Sequence, residues 1–303
     1  MRIFVTGGTG VVGAHAVPQL VAKGHAVTAI GRSDAKRAQL EAAGATAVAL
    51  DIFDRAAARA ALRGYDVLIN LATHMPRSTG RMLLPWAWRE NDRIRREGSA
   101  ALVDAAIDAE VSRFIQESFA PVYEDGGEGW IDEIAPVRPA PYNRTVLDSE
   151  RSAARFAAYG GAGVVLRFAA FYGPDQFLRD VVKIVRSGWS PLLGSPNAYW
   201  SSVAHVDAAA ATVAVLDAPS GLYNICDDDP LTRRDWVGVV AAAIGAAPPT
   251  PSPHLIATLG GKTAELLSRS QRLSNGKLKS ATGWQPKWPS AREGLPAAIK
   301  QLA

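Results

Sequence analysis

Cysteine is nearly absent from this chain: Cys226 stands alone among 303 residues. One thiol supports neither an internal disulfide framework nor a cysteine-based metal site. Long apolar runs are missing as well, and no stretch approaches the roughly 20 residues needed to cross a bilayer. Basic residues are not gathered into one face. The formal net charge is +4, but the charges are spread along the chain, and no nucleic-acid-binding module is visible. Mild attraction for anionic small molecules is all that this balance supports. A single Arg2 precedes the first apolar residues, with no secretory cleavage pattern behind it, so a cytoplasmic protein that binds neither membrane nor nucleic acid is expected. No internal repeat is present. With 48% hydrophobic and 20% charged residues, the chain can bury a full core, or one large domain with a smaller lobe.

Glycine, by contrast, is placed with purpose at the start. Ile3 to Val5 is an apolar strand that runs into Thr6-Gly7-Gly8-Thr9-Gly10-Val11-Val12-Gly13, after which a helix continues to about Ala22. Gly7 suits a tight turn off the strand, Gly10 lets a pyrophosphate approach the backbone, and Gly13 lets helix and strand pack closely. Backbone N–H groups and the helix dipole then face phosphate. A tight strand–helix turn without a ligand would use the same glycines. The βαβ pattern that follows favours a nucleotide.

Strands and helices alternate through the first half. Strands are expected at Ala26–Ile30, Ala45–Leu50, Val67–Ala72, Arg113–Gln116 and Val164–Phe168, with helices at 35–43, 55–62, 91–109 and 142–158. Parallel strands covered on both faces read as continuous apolar runs, as Val67–Ala72 does. The prediction is an α/β fold, a Rossmann-like doubly wound parallel sheet with a smaller C-terminal substrate lobe. Residues 1–175 are expected to form mainly the cofactor domain. Residues 176–303 then supply the lobe, with elements at about 200–230 returning to the core.

Two irregular stretches follow strand ends, where open parallel sheets bind ligands. Residues 73–89 hold His74, Trp86 and Trp88; residues 118–141 begin with Ser118 and Phe119 and include Tyr123. Both are candidate pocket walls, although tryptophans in such a loop also serve simply to pack onto the sheet. His74 is a candidate proton donor or an ordinary packed residue. Asp227-Asp228-Asp229 reads as a charged turn before a helix rather than a cation site, since consecutive side chains rarely converge.

Cofactor choice rests on the end of the second strand. NAD fingerprints usually carry an acidic residue there to accept from the ribose 2′-hydroxyl, whereas this chain has Gly31-Arg32. A guanidinium pairs with a 2′-phosphate, and Lys36 and Arg37 lie nearby, so NADP(H) is expected, unless Arg32 merely points into water. Asp51 is placed to meet an adenine amino group or to cap the helix beginning near Asp54. The expected cofactor contacts are Gly7, Thr9, Gly10, Val11, Val12, Gly13, Arg32, Asp51, Ile52, Leu71, Ala72, Thr73, Tyr142 and Phe168.

These residues resemble the extended short-chain dehydrogenase/reductase family, the group that includes NAD-dependent epimerases and dehydratases. The resemblance spans nearly the whole chain. It rests on Thr6-Gly7-x-x-Gly10-x-x-Gly13, Asp51, Asn70-Leu71-Ala72, Val122-Tyr123, Pro141-Tyr142, Arg167, Tyr172-Gly173-Pro174, His205-Val206-Asp207, Tyr223-Asn224-Ile225, Arg272-x-Ser274-Asn275 and Gly283-Trp284-x-Pro286. It implies a catalytic tyrosine at Tyr142, with a lysine four residues on that lowers the phenol pKa and binds the nicotinamide ribose, and a nearby hydroxyl that orients substrate. This sequence departs at each partner. Val146 stands at the lysine position, Phe119 at the hydroxyl position with Ser118 adjacent, and Arg95 at the usual asparagine. An unassisted phenol, with a pKa near 10, is a poor base but still a hydrogen-bond donor to a carbonyl. Arg95, Glu117, Ser118, Phe119 and Tyr123 are therefore candidate pocket residues beside His74, Trp86 and Trp88. The resulting expectation is an NADP-dependent oxidoreductase of small carbonyls or alcohols. The alternatives are an epimerase, dehydratase or cyclase using bound cofactor, and a noncatalytic NADP-binding scaffold. The resemblance also suggests a homodimer through the two long helices.

Overall fold

Apolar strands too short to bury themselves singly are stacked side by side in one sheet. The computed structural model describes residues 1–76, 84–140, 143–251 and 261–302. Its central sheet contains β1 (Arg2–Thr6), β2 (Ala26–Ile30), β3 (Thr46–Val48), β4 (Val67–Asn70), β5 (Arg113–Phe119), β6 (Ala162–Phe168) and β7 (Gly221–Ile225). They pair in parallel in the order β7-β6-β5-β4-β1-β2-β3. The order reverses at β1, so the chain leaves the carboxyl ends of β1 and β4 in opposite directions and opens a crevice there.

Side chains alternate between the two faces of each strand, and each face has its own helices. On one side Ile3, Val5, Ile69, Ile115 and Leu166 meet α1 (Gly13–Ala22), through Val17 and Leu20, and a later helix (His205–Ala214), through Ala208 and Ala211. On the other, Phe4, Leu68 and Phe114 meet Leu62 of α3 (Arg55–Leu62), following α2 (Asp34–Ala42), as well as Leu102, Val103 and Phe156. Leu102 and Val103 belong to a long connection that begins as α4 (Arg89–Arg93), and Phe156 to the helix packed beside it. The connection passes without interruption through a π-helical turn (Ile94–Gly98) into α5 (Ser99–Asp108), and the helix beside it is α6 (Val146–Ala158). The smaller C-terminal lobe gathers α7 (Gln176–Arg186), α8 (Arg233–Ala243) and α9 (Ala291–Lys300) around Tyr172, Val181, Trp236, Val240 and Leu295. Among the described residues no helix is long and apolar enough to cross a membrane.

Several sequence boundaries move for local reasons. β5 extends three residues past Gln116 because it pairs with β6 as far as Phe119. Thr232, rather than the acidic turn, caps α8 by accepting from Asp235 N. The turn is structural: Asp227 accepts from Ser202 Oγ and Ala291 N, Asp228 pairs with Lys279, and Asp229 accepts from Ser290 Oγ. Asp54, not Asp51, caps α3 through Ala57 N.

A buried histidine ties α1 to the helix at 205–214. His205 lies 6.3 Å from His15, ring to ring, with its Nε2 3.5 Å from an Asp175 carboxylate oxygen. Burial pushes His205 below 6.5; Asp175 opposes that shift and His15 adds to it, while burial lowers His15 as well. A histidine whose folded pKa is depressed binds its proton more readily in the unfolded chain. Its contribution is therefore whole above about 6.5 and is lost as pH falls below that value. The melting temperature is expected to drop between about pH 7.5 and about pH 5.5, and His205→Gln should flatten that drop. Parallel thermal melts of the two proteins across this range check it; identical slopes would refute it.

Candidate functional site

The crevice is a cleft of about 560 Å³ whose floor is made by the glycine turn after β1. Gly7 adopts φ +70°, and a Cβ there would lie 2.3 Å from the Leu71 carbonyl oxygen; one at Gly13 would lie 2.3 Å from the Gly7 carbonyl oxygen. β1, β4 and α1 thus approach as closely as backbones allow. Val12 precedes α1 with no side-chain hydrogen bond capping the helix.

Above this floor a polar network fixes the strand ends. Thr6 Oγ1 donates to Asn70 Oδ1 at 2.5 Å, and Asn70 Nδ2 donates to Gln116 Oε1 at 2.9 Å and to Ser99 Oγ at 3.2 Å. The same Asn70 oxygen accepts from Ala72 N, so the chain leaving β4 is held against the cleft. Gly7, Thr9, Gly10, Arg32, Asp51, Ile52, Leu71, Ala72 and Thr73 all line it. Asp51 Oδ1 accepts from Phe53 N, which presents the 51–53 turn as one wall. The lining also includes Ile30, Lys36, Phe53, Glu90 and Ile94. Glu90 escaped the sequence reading because α4 begins before Asn91; Ile94, one turn later in the expected helix, turns the same side inward. Phe53 carries the guanidinium of Arg93 on its ring at 3.7 Å, a pairing between distant segments that no local pattern encodes.

Other expected residues stand elsewhere. Val11 is exposed, and Phe168 is wholly buried in the core against Phe171. Tyr123 is likewise core: its hydroxyl donates to Asn224 Oδ1 at 2.7 Å, and Arg167 lies on its ring. It is wholly buried and does not line the pocket, and burial pushes its phenol up to about 12. Trp88 packs with Ala140 and Leu266, whereas Trp86 is exposed. His74 is half-buried, with its backbone N–H donated to Asn91 Oδ1 at 2.8 Å. Tyr142 and residues 77–83 lie outside the described residues.

At the expected catalytic positions the departures are physical. Val146 is fully buried and apolar. Ser118, on the α6 side of β5, donates to Glu150 Oε1 at 2.6 Å, and Arg167 grips the same carboxylate with Nε and Nη2, each at 2.7 Å. The Ser118 hydroxyl is thereby committed away from the cleft, and Phe119, half-buried, ends the strand. Arg95 is not a free cation: its Nη2 donates to Glu117 Oε1 at 2.9 Å in a buried ion pair.

This sheet order, glycine turn and crevice are those of a dinucleotide-binding α/β enzyme fold. The sequence profile of the NAD dependent epimerase/dehydratase family matches residues 3–226, and the chain belongs to that family. It is 33% identical, over 97% of its length and 99% of the other, to a 3-diazoavenalumate denitrifying reductase of a Streptomyces species. A dTDP-glucose 4,6-dehydratase from Streptomyces venezuelae, solved with NAD, superposes with TM-score 0.79 at 25% identity, covering 99% of this chain and 96% of that one. A UDP-glucose 4-epimerase of Thermus thermophilus, also with NAD, is alike in fold at TM-score 0.79 and 24% identity, covering 100% and 99% of the two chains.

These comparisons overturn the expectation of NADP and, with it, that of an NADP-dependent oxidoreductase; the epimerase/dehydratase alternative is nearer to them. The physical reason lies at Arg32. Its side chain is exposed at the cleft rim, where a guanidinium donates to a ribose hydroxyl oxygen as well as to a phosphate. A basic residue after β2 therefore does not by itself select a 2′-phosphate.

Proposed function

We propose that this chain is an NAD(H)-dependent enzyme that moves hydride at a small-molecule substrate held over the carboxyl ends of β4 and β5. The observation that carries the reading is the cleft itself, with its glycine floor where added Cβ atoms would collide with backbone. When bound, the dinucleotide supplies the hydride chemistry. The protein supplies place: amide N–H groups at the start of α1 for phosphate, Asp51 and Arg32 toward the adenosine end, and the Leu71–Thr73 segment toward the other. The C-terminal lobe is the proposed substrate cover.

Within this reading, reduction leads. Oxidising an alcohol calls for a base, yet Val146 is apolar and Ser118 is bound to Glu150; reducing a carbonyl calls instead for a proton donor to the oxygen that hydride leaves negative, which a phenol of ordinary pKa or water supplies. The reductase named above, similar along nearly the whole chain, supports the same direction. A second reading has the hydride returned to the same substrate, as an epimerase or dehydratase would do; the similarity to the dTDP-glucose dehydratase favours it.

The test begins with calorimetric titration, in which NADH is expected to bind at least as tightly as NADPH. A substrate panel is then run with NADH deuterated at C4. Net reduction transfers the label to product while the cofactor absorbance falls. Internal redox, assayed in parallel with NAD because the substrate must first give up its hydride, converts substrate with no net change in absorbance, in which case the second reading replaces the first. No binding of either dinucleotide refutes both.

A further inference from the structure

The geometry points to the Arg95–Glu117 ion pair as a recognition element for the nicotinamide-riboside end of the dinucleotide. The inference rests on the proposed NAD(H) function and deepens it. Arg95 is 2% and Glu117 8% exposed. Two charged side chains removed from water to this extent normally satisfy all their polar atoms, because each orphan costs desolvation energy that nothing returns. This pair does not. One hydrogen bond joins Arg95 Nη2 to Glu117 Oε1, and Arg95 Nε and Glu117 Oε2 are both buried without a partner.

The location makes those orphans informative. In the parallel register Asn70 lies beside Gln116, so Leu71 and Glu117 follow side by side at the sheet's carboxyl edge. Leu71 lines the cleft, and so does Ile94, the residue before Arg95. One turn earlier on the same helix, Asn91 is fully buried; its Oδ1 holds His74 N, and its Nδ2 is another orphan. The pair therefore stands beside the cleft, next to Leu71 and Ile94 of its lining, at the end remote from Arg32 and Lys36. The π-helical turn at Ile94–Gly98 carries Arg95, and such turns recur at functional positions in helices.

The chemistry selects a class of group. Arg95 Nε offers a single donor, and Glu117 Oε2 a single acceptor. A carboxylate or phosphate would meet repulsion from Glu117, and an ammonium would meet repulsion from Arg95. A neutral group carrying an acceptor and a donor side by side fits both. NAD has two such groups at its far end, the nicotinamide carboxamide and the ribose hydroxyls. ADP, which fills only the near end of the cleft, has neither there.

The probes are NAD, ADP-ribose and ADP, titrated calorimetrically into the wild type, Arg95→Lys and the doubly apolar R95M/E117L. Lysine keeps the charge and the ion pair but has no Nε donor at that place. The apolar double variant removes both charges together, so that neither is left buried alone. Losing a hydrogen bond to a charged group is worth roughly tenfold in affinity. Both variants are expected to bind ADP as the wild type does and to lose roughly that factor for NAD. Loss for NAD with ADP-ribose unaffected assigns the carboxamide; equal loss for both assigns the ribose. Unchanged NAD affinity in Arg95→Lys overturns the proposal even if the double variant fails to fold, as does an equal fall for ADP and NAD. A wild type that does not bind NAD overturns the functional reading itself, whereas wild-type binding retained in the variants defeats only the role of the pair.

Discussion

Gly7→Ala is expected to abolish dinucleotide binding and to destabilise the fold, whereas Gly10→Ala three residues later is expected to abolish binding alone. The difference lies in what each new methyl group meets. At Gly7 the backbone has φ +70°, and the Cβ would sit 2.3 Å from the Leu71 carbonyl oxygen and 2.8 Å from Ala72 N. Those are main-chain atoms of β4's exit, fixed from the other side by Asn70, so they cannot swing away. An L-residue in the left-handed region costs about 1–2 kcal/mol, and the collision adds to it, for a total of about 3 kcal/mol. Gly10 has no such handicap: its nearest backbone neighbour, the Gly7 carbonyl oxygen, would be 3.2 Å from the added carbon. The methyl group there projects where a pyrophosphate would approach the chain. Urea unfolding should therefore show a lowered midpoint for Gly7→Ala and a near wild-type midpoint for Gly10→Ala. Calorimetry with NAD should show binding lost in both. If Gly10→Ala retains wild-type affinity, the glycine turn is only a packing device and the cleft has another purpose.

The contrast shows why the cofactor end of this molecule is readable from residues. Gly7, Gly10 and Gly13 solve a backbone problem, and a backbone problem has few solutions, so their spacing carries the turn, the sheet edge and the cleft together. The parallel order of the sheet follows from the same local logic, strand by strand. Side-chain partnerships across the fold have no such signature. Ser118 looks like a spare hydroxyl next to the position where one is expected, yet alternation along β5 turns it toward α6, where Glu150 takes it. Tyr123 looks like a pocket phenol, but its hydroxyl donates a hydrogen bond to Asn224, about a hundred residues away in sequence. Arg32 misled for a different reason. Its position is legible, but the preference of an exposed guanidinium between hydroxyl and phosphate is not, and the NAD-bound relatives show where that inference failed. Arg95 was legible as a departure from the family's residue, but not as half of a buried pair.

Glu150→Ala should destabilise the protein more than any single change at the cleft surface, by about 3–5 kcal/mol, because it strands a buried cation. Arg167 is 4% exposed; Glu150 accepts from its Nε and its Nη2, and its Nη1 has no partner. The Tyr123 ring 4.7 Å from the guanidinium carbon offers the charge a face but no counter-charge. Without the carboxylate, the remaining charge has neither water nor a counter-ion, and Ser118 loses its acceptor as well. Glu150→Gln should cost less, since an amide oxygen still accepts from the guanidinium while the charge goes uncompensated. The decisive comparison is Glu150→Met with Arg167→Met in one chain. If the cost comes from the stranded charge, the double change recovers much of the stability lost by Glu150→Ala, because two apolar side chains of similar length fill the space without an unpaired ion. Urea denaturation of the four proteins reads this directly. A double variant no more stable than Glu150→Ala would show that the bidentate geometry itself, rather than avoidance of a lone buried charge, holds β5, β6 and α6 together.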